Sequence, residues 1–237
     1  MLEAAQGPEP SVEARLVETQ FGNGAIGAAR QLVAAWRIHM PQLSGASVAL
    51  ALSAAASVHE KADKRRPRLV VSGPTSNAVP VRLTSAVVVE IIRAATQRLL
   101  LVSFAAYNVA DVVRELVAAQ NRGVELDLVL ESSTDSGGAL RGRNAADAFT
   151  ALVEGARFWH WPSDHRPTQA GQVSLHAKVV VADGTMSLIG SANFTGRGLS
   201  DNIEVGMLVS DPGFAGPLDR HFRSLMRPEA RCLTPVT

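Results

Sequence analysis

The chain has 237 residues, is 46% hydrophobic and is almost neutral, with a formal charge of +1 and an isoelectric point near 8.0. That is enough apolar content for one large core, or one core with a smaller attachment, and too little charge for nucleic-acid binding by bulk electrostatics. A single cysteine, Cys232, excludes an intrachain disulfide framework and a cysteine-rich metal site, and fits a reducing cytoplasm.

The first ten residues lack the basic start and apolar run of a secretory leader. Residues 11–60 are rich in Ala, Leu and Val and predict helices over 25–40, ended by Pro41, and over 45–61. Leu32 and Trp36 stand at i, i+4 spacing and read as core. The most apolar stretch, 48–57, is too short to span a bilayer, so stable membrane association is not expected. This segment reads as a small helical cap or dimerisation arm. The basic run 61–68 reads as a solvated linker, with a domain boundary near residue 66, giving units 1–66 and 67–237. Residues 69–75 give a short strand and turn. From Pro80 helix and strand alternate. A helix over 84–98 has Thr84 or Ser85 as N-cap; a buried strand follows over 99–104. A helix over 111–121 has Gly123 just past its end, and a strand covers 124–130. Then come a mobile Ser/Gly-rich loop (131–142), a helix (144–154) and a strand (156–161). A hairpin starting near 173, a strand over 203–209 and a helix around 214–226 complete the chain. The alternation predicts an α/β sheet with helices on both faces.

The hairpin carries the chemistry. His176-Ala-Lys178-Val-Val-Val-Ala-Asp183, followed by Gly190-Ser191-Ala-Asn193, reads H-x-K-x4-D-x6-G-S-x-N. On a strand, residues i and i+2 share a face, so His176 and Lys178 project together. Asp183-Gly184 is a hairpin turn signal, and 186–190 reads as the return strand that brings Gly190, Ser191 and Asn193 back to that face. A phosphodiester repels nucleophiles through its charge. Lys178 offsets that charge, while Ser191 and Asn193 add hydrogen-bond donors. His176 is available as a neutral imidazole near pH 7 and can attack phosphorus. Glu204, in the next β-like run, is assigned as the carboxylate that fixes the far ring nitrogen of His176. Taken singly, each residue has a plainer reading: a core His, a solvated Lys, a Gly-Ser turn. Together, at this spacing, His176, Lys178 and Asn193 are hard to explain without function. Asp183 reads as a supporting residue of the turn. Among arginines in predicted loops (Arg141, Arg143, Arg166, Arg197), Arg197 is the best placed to contact a phosphate backbone. Asn108 also falls near the cleft.

These residues resemble the H-K-D motif of the phospholipase D superfamily, and Glu204 is similar to the trailing acidic position of its bacterial nuclease members. The likeness covers roughly residues 80–226. It implies an α/β phospholipase D-like sandwich, a mixed sheet with helices on both faces, plus the N-terminal helical segment. It also implies attack by one His, protonation of the leaving oxygen by a second, anchoring of phosphoryl oxygens by Lys and Asn, and no metal or other cofactor. Shorter pieces, 71–75, 81–85 and 100–107, resemble the phospholipase D-like component of bacterial DISARM anti-phage systems. That narrower likeness implies a cytoplasmic bacterial protein working beside other DISARM components.

Only one motif copy is present. His59-Glu-Lys61 fits three letters, but Arg66 stands where Asp is needed. His160 and His165, in a loop upstream, read as packed or exposed. A two-fold homodimer supplies the second His most simply, with the two copies of His176 facing across the axis. The leading expectation is a metal-independent phosphodiesterase cleaving DNA through a phosphohistidine. A non-catalytic DNA-binding accessory subunit and, behind it, a phospholipase or phosphatidyl transferase are the alternatives.

Overall fold

The computed structural model describes residues 2–19, 23–76, 78–132, 145–152, 155–167 and 173–236. Two compact units are present, Met1–Lys64 and Arg65–Thr237.

The first contains α1 (Pro10–Glu18), α2 (Asn23–His39) and α3 (Gly45–Arg65). Val33, Trp36 and Val48 are buried. The Trp36 indole donates to the Leu43 carbonyl (3.1 Å), which ties the α2–α3 turn. The basic run expected as a linker is helical instead, up to Arg65. Ala, Lys and Arg are good helix formers, Glu60 and Lys64 pair at i, i+4 (2.7 Å), and Pro67 stops the helix two residues on.

The second unit contains β1 (Arg68–Ser72), β2 (Arg82–Leu83), α4 (Thr84–Ala94), β3 (Arg98–Ser103), β4 (Ala106–Tyr107) and α5 (Ala110–Asn121). These are followed by β5 (Glu125–Leu130), β6 (Ala156–His160), β7 (Val179–Ala182), β8 (Met186–Gly190) and β9 (Phe194–Thr195). Last come α6 (Gly196–Ser200), β10 (Glu204–Val209), α7 (Pro212–Leu225) and β11 (Thr234–Pro235). Nine strands form one mixed sheet in the order β11-β6-β5-β3-β7-β8-β10-β1-β2. The β3-β5-β6 part is parallel, and β3-β7-β8-β10-β1 run antiparallel in succession. Both faces are covered, and the central strands carry apolar residues toward both. On β3, Leu99 and Leu101 join Val87, Val88, Ile91 and Ile92 of α4 and Leu116 of α5. Leu100 and Val102 join Ala215 and Phe222 of α7 on the other face. Each such side chain contributes about 1.5–3 kcal/mol by leaving water. The mixed sheet between helices is the expected α/β sandwich.

Several boundaries differ from expectation. The helix expected over 84–98 ends at Ala94, and Arg98 already belongs to β3, because the amides of 96–98 are taken by Asp183. Thr84 is the first residue of α4 rather than its cap; Leu83 is the cap, and Thr84 Oγ1 instead accepts from Ser72 Oγ (2.7 Å). Residues 145–152 form a 3-10 helix broken at Phe149, whose ring is fully buried, where an α-helix over 144–154 was expected. Asn144 and Glu154 lie outside the described residues, as does the loop called mobile from 133 onward.

The β7–β8 hairpin lies at the centre of the sheet, and its turn is the expected Asp183-Gly184, both residues at positive φ (54° and 65°). The Asp183 carboxylate accepts from Thr96 N, Thr96 Oγ1, Gln97 N and Arg98 N, all at 2.8–2.9 Å. Burial raises its pKa, but these donors outweigh burial and hold it below the usual carboxylate value. D183N keeps a residue that tolerates the turn while removing the charge. It is expected to lose about 1–3 kcal/mol in urea unfolding. The folded pKa is depressed, so the contribution is complete above about pH 4 and is lost as pH falls through the folded value. The gap between wild type and D183N should therefore narrow on acidification; a gap that widens would contradict this role.

Candidate active site

The strand β7 begins at Val179, so His176 and Lys178 lie in an extended lead-in rather than in the strand expected from residue 173. The two side chains nonetheless meet. Lys178 Nζ stands 3.0 Å from His176 Nδ1 and donates to the His176 carbonyl (2.6 Å). The ring is exposed to solvent, whereas Lys178 is only 8% exposed. Burial pushes the lysine pKa down, and the Glu204 carboxylate partly offsets this. The Phe104 ring packs 5.3 Å from the imidazole at a 48° tilt, and Lys178 Nζ lies 5.8 Å from its centroid.

The returning strand β8 closes on this pair through Gly190 N, which donates to the Lys178 carbonyl (3.3 Å). Gly190 faces Gly206 across β8–β10. A Cβ at Gly190 would lie 2.9 Å from Gly206 Cα and 2.9 Å from Val205 O, so only glycine allows this approach. It brings Ser191 onto β10. Ser191 Oγ donates to Glu204 Oε2 (2.5 Å) and accepts from Val205 N (3.2 Å), and Asn202 Nδ2 donates to Glu204 Oε1 (3.2 Å).

Two contacts differ from those expected. Glu204 does not pair with the far ring nitrogen of His176 among the described residues; the structure turns its oxygens to Ser191 and Asn202. The Ser191 hydroxyl donates its hydrogen bond to that carboxylate here, and so orients Glu204. Asp183, at the opposite end of β7 from His176, is hydrogen-bonded to Thr96, Gln97 and Arg98 at the entry to β3.

Asn193 reaches the site through its neighbour. Phe194 N donates to buried Ser103 Oγ (3.2 Å), and β9 pairs with β4 (Ala106↔Phe194). This ties the G-S-x-N end to the residue before Phe104. Asn193 Oδ1 is buried without a hydrogen-bond partner. Arg197 is exposed at the start of α6, and its guanidinium has no ion-pair partner among the described residues. Asn108 is exposed at φ 54° and lines a surface cleft with Gly196 rather than contacting His176. Arg166 is not a surface contact: it is buried in an ion pair with Glu131 (2.7 Å). His165 Nδ1 lies 3.3 Å from the Cys232 carbonyl. Arg141 and Arg143 lie outside the described residues. Phe104, Ser103 and Glu131 were missed from sequence. Their signal was position, since β3 and β5 are parallel and α/β sheets place their sites at the carboxyl ends of such strands. Among the described residues, no group of three or more His, Cys, Asp or Glu could hold a metal ion, and no helix is long and apolar enough to cross a membrane.

Residues 88–226 match the family described as "Cardiolipin synthase, PLD-like domain", which is more than half of the chain. The chain belongs to this PLD-like family. The DISARM protein DrmC of Bacillus paralicheniformis is 31% identical over 144 residues, covering 59% of this PLD-like chain and 55% of DrmC. Cardiolipin synthase A of Pseudomonas fluorescens is 34% identical over 150 residues, 62% of this chain and 28% of the synthase. The PLD-like chain thus matches about half of one relative's length and under a third of the other's. Nuc from Salmonella typhimurium, a phospholipase D family member of known crystal structure, superimposes with a TM-score of 0.50 at 21% identity. That match covers 72% of this chain and 99% of Nuc, and shows the shared fold.

Glu204 acts on Lys178 through its charge, so E204Q is expected to lower the Lys178 pKa further. Titration of the lysine side chain by NMR reads this directly; an unchanged or raised value would show that the carboxylate does not reach the ammonium.

Proposed function

We propose that this PLD-like chain is a phosphodiesterase that cleaves DNA through a covalent phosphohistidine on His176. On this reading it needs no metal, and two copies of the chain complete one active site. The observation that carries the reading is the 3.0 Å contact between an exposed imidazole and a nearly buried ammonium, in a PLD-like fold with one motif copy. Likeness to a DISARM protein supports bacterial anti-phage defence as the setting, with other components of that system as partners. The unpaired Arg197 guanidinium supports contact with a phosphate backbone.

An ammonium only donates, so while Lys178 holds Nδ1 the ring proton sits on Nε2, and Nε2 cannot attack. A phosphodiester oxygen competes for the same ammonium. As Lys178 turns to it, Nδ1 is released, and the solvent-exposed ring exchanges its proton onto Nδ1. Glu204, already near enough to act on Lys178, is the carboxylate on hand to receive that N–H. The Nε2 lone pair then forms the P–N bond as the P–O bond to the leaving alkoxide breaks. The partner's His176, as imidazolium, protonates the alkoxide; now neutral, it takes a proton from water, whose oxygen forms the new P–O bond as the P–N bond breaks and His176 Nε2 leaves. Asn193 binds a non-bridging oxygen through its amide.

Labelled single- and double-stranded DNA, and phospholipid vesicles, are incubated with the protein in EDTA. DNA cleavage that persists in EDTA and falls at least about 10³-fold in H176A is expected. DNA binding without turnover would replace this reading with that of an accessory subunit; release of phosphatidic acid would replace it with a lipid enzyme. Subunit sharing has its own arithmetic. After exchange, an equal mixture of wild type and H176A should retain about a quarter of the activity, because one dimer in four carries both histidines. Retention of about half, or full activity in a strict monomer by light scattering, would remove the shared site.

A further inference from the structure

Residues 173–178 carry the nucleophile but belong to no strand or helix. Two buried charged side chains from elsewhere hold them. Glu131, at the end of β5, is 1% exposed, and Arg166 is 8% exposed. Arg166 Nη2 donates to Glu131 Oε1 (2.7 Å), Nη1 to the Val173 carbonyl (2.8 Å) and Nε to the Trp161 carbonyl (3.1 Å). The other Glu131 oxygen accepts from Leu175 N (2.8 Å). Leu175 precedes His176, whose own carbonyl holds Lys178 Nζ.

Stability does not explain this pair. The cost of desolvating two buried charges is about what their attraction returns, and well-packed apolar residues serve as well or better. Apolar side chains cannot, however, hold a carbonyl at 173 and an amide at 175 at the same time. We propose that Glu131 and Arg166 are positioning residues: they set the path of 173–175 and thereby place the His176 ring and the Lys178 ammonium for in-line attack. The proposal rests on the phosphodiesterase reading above and adds to it residues that never touch the substrate.

The test compares E131A, the charge-free pair E131Q/R166Q, and R223A. Arg223 belongs to a separate ion network, with Asp127 (2.7 Å) and Asp219 (3.0 Å), and serves as a control for stability alone. With bis-p-nitrophenyl phosphate as the probe, E131A should lose roughly 10- to 100-fold in kcat with KM changed less than about twofold. R223A should lower the melting temperature yet keep kcat per folded molecule. E131Q/R166Q retains an acceptor for Leu175 N but no donor that reaches the Val173 carbonyl, and should recover only part of the lost kcat. It also carries the test if E131A does not fold. In the absence of substrate, E131A should move the Leu175 amide and His176 ring resonances, while R223A leaves both in place. A folded E131A with wild-type kcat and unmoved resonances overturns the proposal. So does a kcat loss that follows melting temperature equally in E131A and R223A. If the wild type hydrolyses no phosphodiester at all, the phosphodiesterase reading fails, and the resonances still decide whether Glu131 places His176.

Discussion

Register is the constraint on which the rest of the molecule depends, and a single carboxylate fixes it. Side chains alternate along β7, so a slip of one residue would exchange its two buried sets, Val179/Val181 and Val180/Ala182, between the two cores. Both sets are apolar, so burial alone resists such a slip weakly. Asp183 resists it strongly. Its oxygens match a sequence of amides at 96–98, and its own N–H returns to the Arg98 carbonyl (2.9 Å). A hydrogen bond to a charged acceptor contributes about 1.5–3 kcal/mol, comparable with burying a whole aliphatic side chain. Lys178 therefore arrives at the end of β7 with its direction already determined.

Two kinds of force meet at that point. On one side, hydrogen bonds within the sheet hold the hairpin. On the other, Glu131 and Arg166 hold a stretch of chain that has no ladder of its own. His176 stands between a rigid strand and a clamped lead-in. Its ring is exposed while its backbone is restrained from both directions. Phe104 closes the third side. The pairing of Lys178 with Nδ1 shelters the ammonium and, because an ammonium only donates, keeps the ring proton on Nε2.

The motif was legible because its parts are local. His176, Lys178, Asp183, Gly190, Ser191 and Asn193 lie on or next to one hairpin, and strand periodicity with a turn signal is enough to bring them together. The partners of those residues were harder to read. Phe104 reaches His176 across 72 positions and Glu131 reaches Leu175 across 44, through a parallel crossover whose geometry leaves no local pattern. Glu204 was placed in the right neighbourhood, but its oxygens turn to Ser191 and Asn202 in the structure. Arg166 looked like a solvent-facing loop residue because its partner is a carboxylate 35 positions away. The helix continuing to Arg65 and the broken turn at Phe149 show opposite outcomes. In the first, local propensity prevails over a charge run; in the second, burial of one ring prevails over local propensity.

The Gly190–Gly206 pair has a consequence for how this surface can vary. Neither residue has a side chain, so neither offers a side-chain donor or acceptor to the cleft. Yet each limits what can stand at its position: a methyl at 190 would lie 2.9 Å from backbone of β10, and one at 206 would press on the Ile189 carbonyl at 3.0 Å. Unlike a flexible side chain, the obstructing atoms cannot rotate aside. A side chain at 190 must separate two neighbouring strands, and the separation falls where the Ser191 hydroxyl donates to Glu204. The chemistry of the cleft thus carries a purely steric condition, located in two residues that contribute no functional group.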